Sequence, residues 1–162
     1  MTADAPALVA SLSARGLTVA TAESLTGGQL ASFFTSVPGA SACFVGGVVA
    51  YASEVKVSVL GVSPSIIEEY GAVSAECASA MASGARSLLS ATYALATTGV
   101  AGPDTQEGHP AGHVWVACAG PAGVETELLS LEGDRAAVQA ASFRGALSVL
   151  DGMLRREDSG LG

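Results

Sequence analysis

The sequence predicts an α/β domain, a three-layer α/β/α sandwich on a mixed sheet. Early in the chain, apolar runs of strand length alternate with helical patterns, the order that builds parallel strands covered by helices. Later, two such runs flank Gly120-Pro121-Ala122-Gly123, a hairpin signal, so the sheet is not wholly parallel. The composition is 49% hydrophobic and 14% charged, with 20 glycines, which supplies small side chains for close packing of helices on a sheet. A chain of 162 residues fits one domain. Its expected limits are 1–157, with a disordered tail at 158–162.

The elements follow in order. Ala5, Leu8, Val9 and Leu12 recur at helical spacing, with Asp4 as cap, Pro6 in the first turn and Arg15-Gly16 as the end. Leu17–Ala20 is a short buried strand. It stops at small and polar residues, and Gln29-Leu30-Ala31-Ser32-Phe33-Phe34 opens a helix reaching about Thr35. Val37-Pro38-Gly39-Ala40-Ser41 reads as a turn. Phe44–Ala52 reads as a long strand in which Gly46-Gly47 marks a bulge or a close backbone approach. Ser53 is the expected cap of a short helix through Leu60, and Ser63-Pro64 opens another that ends near Tyr70-Gly71. Ser74 caps a long Ala-rich helix, 75–90. Thr92–Thr98 is a strand leading into a second glycine turn, Gly99–Asp104. The strands Gly112–Ala119 and Val124–Leu131 form the hairpin, and Asp134 caps a last helix to roughly Arg156.

The net charge of -8 argues against a nonspecific nucleic-acid partner and against an anionic membrane surface. It leaves room for a small anionic ligand held locally by a helix N-terminus or an arginine. No apolar run reaches transmembrane length. Cys43, Cys77 and Cys118 lie far apart among small apolar residues, without metal-ligand spacing, so buried reduced thiols and a cytoplasmic location are expected. His109 and His113 carry no pattern of a metal site, and neither a metal nor a cofactor is expected.

The candidate chemistry is polar and scattered over loops. Ser24 and Thr26 sit on a strand-to-helix turn where Gly27 and Gly28 allow close backbone approach. The first amides of the following helix are expected to be unpaired, fit for an oxyanion or an anion. The plain alternative is that Ser24 and Thr26 only cap the helix. Lys56 is the single lysine in the chain. Arginine cannot give up its proton, whereas a partly buried lysine can act as a base. In an open α/β sheet ligands gather at the C-terminal ends of the strands. The polar set comprises Glu23, Ser24, Thr26, Ser41, Tyr51, Lys56, Thr97, Thr98, Asp104 and Arg135, and Ser24 and Thr98, which both follow strands there, are expected to bring the two glycine turns into one pocket.

Thr21-Ala22-Glu23-Ser24-Leu25-Thr26-Gly27-Gly28 resembles the opening signature of the CinA C-terminal domain family of competence/damage-inducible proteins. Gly47–Lys56 resembles its second block. Gly71-Ala72-Val73-Ser74, Thr98–Asp104 and Gly133-Asp134-Arg135 resemble later blocks in the same order, over about residues 5–155. The resemblance implies a metal-free amidohydrolase that converts nicotinamide mononucleotide to nicotinic acid mononucleotide and ammonia in pyridine nucleotide recycling. It implies a serine nucleophile, a lysine base and a tyrosine, the last two matching Lys56 and Tyr51. Ser41 and Ser24 both fall in family blocks. The family spacing favours Ser41, with Ser24 lining the oxyanion hole, although a straight strand would hold Ser41 and Lys56 at opposite ends. Thr26, Gly27, Gly28, Thr98, Gly99, Gly102, Asp104 and Arg135 are the implied substrate-binding residues. A homo-oligomer, with a dimer favoured, is the expected assembly. The chain departs from the family pattern at Leu25 (usually Cys), Thr105 (usually Gly) and Gln139 (usually basic), the last of which is expected to weaken phosphate contact. A catalytically inactive nucleotide-binding or protein-interaction module of the same fold is the alternative reading.

Overall fold

A computed structural model describes residues 4–160. Five strands make one sheet in the order β2-β1-β3-β4-β5. They are β1 (Val19–Glu23), β2 (Phe44–Val49), β3 (Tyr93–Gly99), β4 (His113–Gly120) and β5 (Gly123–Ser130). β1 runs parallel to β2 and β3, while β3, β4 and β5 pair antiparallel. The helices are α1 (Ala5–Ala14), α2 (Gln29–Thr35), α3 (Ser53–Ser58), α4 (Pro64–Tyr70), α5 (Ala75–Leu88) and α6 (Arg135–Asp158). The three-layer α/β/α sandwich on a mixed sheet is thus the observed fold. No described helix is long and apolar enough to cross a membrane.

Strand periodicity divides the core by side-chain size. Tyr93 and Leu95 of β3 face α1, α2 and α6, where they join Leu12, Leu30, Phe34, Leu147 and Leu150. The alternate residues Ala94 and Ala96 face α5, which answers with Ala78, Met81, Ala82 and Ala85. Alanine against alanine lets α5 lie close to the sheet. Its other side is tight as well, since a Cβ on Gly84 would stand 1.9 Å from the Leu60 carbonyl oxygen.

Most element ends match the sequence reading. Ser74 and Asp134 cap α5 and α6, their side chains accepting from the Cys77 and Ala137 amides. The bulge in β2 is present: the register steps from Val19↔Phe44 to Ala20↔Gly46, and Gly47 lies so close to Thr21 that a Cβ would sit 2.1 Å from its hydroxyl. Other details differ. β1 runs to Glu23 rather than stopping at Ala20, because pairing on both sides carries it further. α3 begins at Ser53, so Ala52 rather than Ser53 holds the cap position. The Ser63 hydroxyl bonds Ser65 instead of capping α4. α6 includes Asp158, and the Ser159 and Gly160 amides close its last turn, so the ordered chain reaches into the expected tail; 161–162 lie outside the described residues.

Candidate functional site

The parallel register of β1 and β3 sets Glu23 beside Thr97, and the Ser24 amide donates to the Thr97 carbonyl at 3.0 Å. Both glycine turns therefore leave the sheet side by side. Around them lies a pocket of about 350 Å³, lined by Ser24, Leu25, Tyr51, Ser53, Lys56, Ala72, Val73, Arg135 and the loop 98–106. That volume is in the range of pockets that take small molecules.

Lys56 lies on the inner face of the short helix α3 and is 2% exposed. Its Nζ is 3.0 Å from Ser24 Oγ, 2.7 Å from the Ala50 carbonyl and 3.2 Å from the Tyr51 carbonyl. The two carbonyls can only accept, so they claim two N–H bonds of the amine. The third direction points at the serine hydroxyl, which an uncharged amine would meet with its lone pair. Burial pushes the Lys56 pKa below its ordinary value, opposed by the negative side of Cys77, Glu107 and Glu54. The Cys77 thiol is itself pushed up to about 11 by burial, so at neutral pH it carries no charge.

Ser24 does not cap α2. Gly28, with φ of +108°, occupies the cap position. Nor are the first amides of α2 open to a ligand. The buried Glu23 carboxylate turns back and accepts from the Leu30 and Ala31 amides at 2.8 and 3.1 Å, and from the Thr26 hydroxyl at 2.7 Å. The expected anion cradle is filled from within the chain. Thr26 also bonds Thr97 at 2.8 Å and lies beneath the pocket. Thr26, Gly27 and Gly28 line none of the pocket, and the Gly27 amide is spent on the Ser24 carbonyl, so the structure does not bring these three residues into it. The backbone amides of Leu25 and Thr26 donate to no acceptor among the described residues, and of the two only Leu25 lines the pocket with Ser24. The amides of Ala101, Gly102, Asp104 and Thr105 on the opposite loop are likewise free among those residues.

Ser41 stands apart from this pocket. It is exposed in a short 3-10 turn, Ala40–Ala42, before β2, and it lines a different depression with Thr35, Val37 and Phe44. Lys56 follows β2, and six strand residues span roughly 20 Å. The bulge at Gly46 sharpens the twist without folding the strand back. Tyr51 is at the pocket mouth, 62% exposed, and its hydroxyl accepts from Arg135 Nη2 at 3.1 Å. Arg135 Nη1 holds the Gly102 carbonyl at 2.7 Å. Thr98, Gly99, Gly102 and Asp104 line the pocket as expected, although the Thr98 hydroxyl is engaged with the Ala72 carbonyl. Gln139 does not reach the pocket. It donates to the Leu25 carbonyl at 2.8 Å and steadies the turn that carries Ser24. Sequence reasoning missed Glu107, whose carboxylate accepts from the Ala72 and Val73 amides at 2.9 Å each. The Glu107-Gly108 pair was a turn signal that could have drawn attention to it. His109 and His113 stack with ring centroids 4.1 Å apart; burial and the neighbouring His109 lower the His113 pKa.

A model of the CinA C-terminal domain matches residues 2–154. The chain belongs to the CinA C-terminal domain family. A CinA-like protein of Frankia casuarinae is 51% identical over 140 residues, which are 86% of this chain and 32% of that protein. The chain thus spans about a third of the length of the curated relatives it matches. A competence-damaged protein (CinA) superfamily structure from Escherichia coli superposes with a TM-score of 0.87 at 37% identity, covering 90% of this chain and 86% of that one. The competence damage-inducible protein A of Klebsiella pneumoniae gives 0.89 at 37% identity, covering 94% and 98%.

Proposed function

We propose that this CinA domain is a Ser/Lys amidohydrolase that deamidates nicotinamide mononucleotide, with Ser24 as nucleophile and Lys56 as base. The observation that carries this is the buried amine 3.0 Å from Ser24 Oγ, with two carbonyls fixing its orientation. A group held this way is poised for proton transfer, and its lowered pKa leaves more of it neutral than in a free lysine.

Neutral Lys56 takes the hydroxyl proton as Ser24 Oγ bonds to the carboxamide carbon. The carbonyl oxygen becomes an oxyanion facing the free Leu25 amide on the pocket wall. Lys56 then returns the proton to the amide nitrogen, the C–N bond breaks and ammonia leaves. Water, deprotonated by Lys56, cleaves the acyl-serine to nicotinic acid mononucleotide. Tyr51 and Arg135, joined at the mouth, orient the phosphate end rather than relay protons.

Ammonia release from nicotinamide mononucleotide tests the reading with three variants. Ser24→Ala and Lys56→Arg should each lose about 10²–10⁴-fold in kcat, the scale of a lost nucleophile or base, while Ser41→Ala keeps parental activity. Arginine stays protonated, so a Lys56→Arg enzyme near the parent rate ends the lysine-base mechanism. Nucleotide binding by calorimetry with no ammonia from the parent chain selects the inactive module instead.

A further inference from the structure

The loop between β3 and β4 carries a small hairpin. The Gln106 and His109 amides bond each other's carbonyls at 3.1 and 2.8 Å, and the two residues between, Glu107 and Gly108, have φ of +53° and +78°. Two successive left-handed residues make the turn type that suits Asn-Gly. Glutamate is a poor resident there, so its presence calls for a compensating contact. That contact is the pair of bonds from the Ala72 and Val73 amides, 2.9 Å each. The approach is close: a Cβ on Gly71 would stand 2.5 Å from Glu107 Oε2.

The clamped peptide is part of the pocket. Ala72 and Val73 line it together with Ser24 and Lys56, and the Ala72 carbonyl is held from the other side by the Thr98 hydroxyl at 2.7 Å. Ala72 is thus fixed at its amide by the hairpin and at its carbonyl by β3. The groups that bear electrostatically on Lys56 come from three places: Cys77 on α5, Glu54 on α3 and Glu107 on the hairpin. The Cys77 thiol, pushed up to about 11, is uncharged at neutral pH, and Glu54 faces solvent, which leaves Glu107 as the group bonded to the pocket wall.

We propose that Glu107 is a positioning residue for the Ser24–Lys56 pair, closing the pocket by clamping the hairpin onto the Ala72–Val73 wall and holding its carboxylate within electrostatic reach of the lysine. Its catalytic meaning rests on the amidohydrolase reading, but its effect on Lys56 does not. The residue bonds the wall through its carboxylate and acts on the reacting atoms only through that wall and through space.

The single lysine makes the test specific, because lysine labelled with ¹³C at Cε gives an NMR titration of Lys56 alone. The full chain, Glu107→Gln and Glu107→Asp are titrated at low ionic strength, where screening is weakest. Ammonia release is measured against pH on the same samples, with thermal melting to verify the fold. In Glu107→Gln the Lys56 midpoint moves to lower pH and the acid limb of kcat/KM follows it, while KM rises about three- to tenfold, the scale of one lost hydrogen bond. Glu107→Asp keeps the charge but is one methylene short, so KM rises while the midpoint stays nearer the parent. A parental midpoint in a Glu107→Gln protein that melts as a folded chain overturns the proposal. If the glutamine variant does not fold, parental KM and midpoint in Glu107→Asp overturn it equally. No ammonia from the parent, with the Lys56 midpoint still responding to Glu107, sinks the amidase reading and leaves the electrostatic link standing.

Discussion

Replacing Glu23 with alanine tests the internal plug at the start of α2. The carboxylate is 1% exposed and takes three donors: the Thr26 hydroxyl and the Leu30 and Ala31 amides. Thr26 keeps a partner in Thr97, but the two amides lose theirs. Each buried amide left without an acceptor costs about 1–3 kcal/mol, so the pair costs about 2–6 kcal/mol. For a domain of this size each kcal/mol lowers Tm by about 2–4 °C, so a fall near 12 °C is the central expectation. Glu23→Gln keeps one acceptor oxygen and turns its carboxamide NH2, a donor, toward the other backbone amide, so it falls by about half as much. Calorimetric melting of both variants at pH 7 reads this directly. An alanine variant within about 2 °C of the parent, or a glutamine variant worse than alanine, refutes the reasoning. Because Ser24 is the next residue, the proposed amidohydrolase reading adds that ammonia release falls with Glu23→Ala further than the lost folded fraction explains.

Three further outcomes are expected. Burial holds the Lys56 pKa below 10.5, so between that lowered value and 10.5 the unfolded chain binds more protons than the folded one. Stability then rises with pH across this window, and the melting temperature of the parent relative to Lys56→Met should climb from pH 7 toward 10; a flat difference contradicts a depressed lysine. Gly84→Ala gains helix propensity worth about 1 kcal/mol but drives a methyl against the Leu60 carbonyl at 1.9 Å, an overlap costing about 1–3 kcal/mol or more, so Tm should drop, and a rise would show that α5 can shift freely. Cys43, Cys77 and Cys118 are all buried, and burial raises the Cys77 and Cys118 thiols, so a thiol reagent at pH 8 should find none in the folded chain and three after denaturation.

The alternation of strand and helix signals made the sandwich legible, and the hairpin glycines made its antiparallel side legible. The solitary lysine, read as a base, and the strand-end logic led to the pocket that holds Ser24, Lys56, Thr98 and Arg135. Three things were hidden. Ser41 and Ser24 are told apart only by which end of the sheet each occupies, Ser41 before β2 and Ser24 after the parallel β1, and local sequence does not state that for residues so far apart. Glu23 is an acid on a strand, and nothing local reveals that its side chain reaches seven residues on to the α2 amides. Glu107 bonds residues thirty-four and thirty-five positions earlier, a pairing created by the fold alone. Gln139 shows the converse: read against a family pattern it is a lost charge, while in place it is a donor to the Leu25 carbonyl.

A chain whose one ε-amine is sealed inside its own cleft offers acylating agents no lysine on its exterior. Acetylation or amine-directed cross-linking at Lys56 therefore requires a reagent that enters the pocket. The rate at which Lys56 is so tagged therefore reports how freely the pocket admits small reagents.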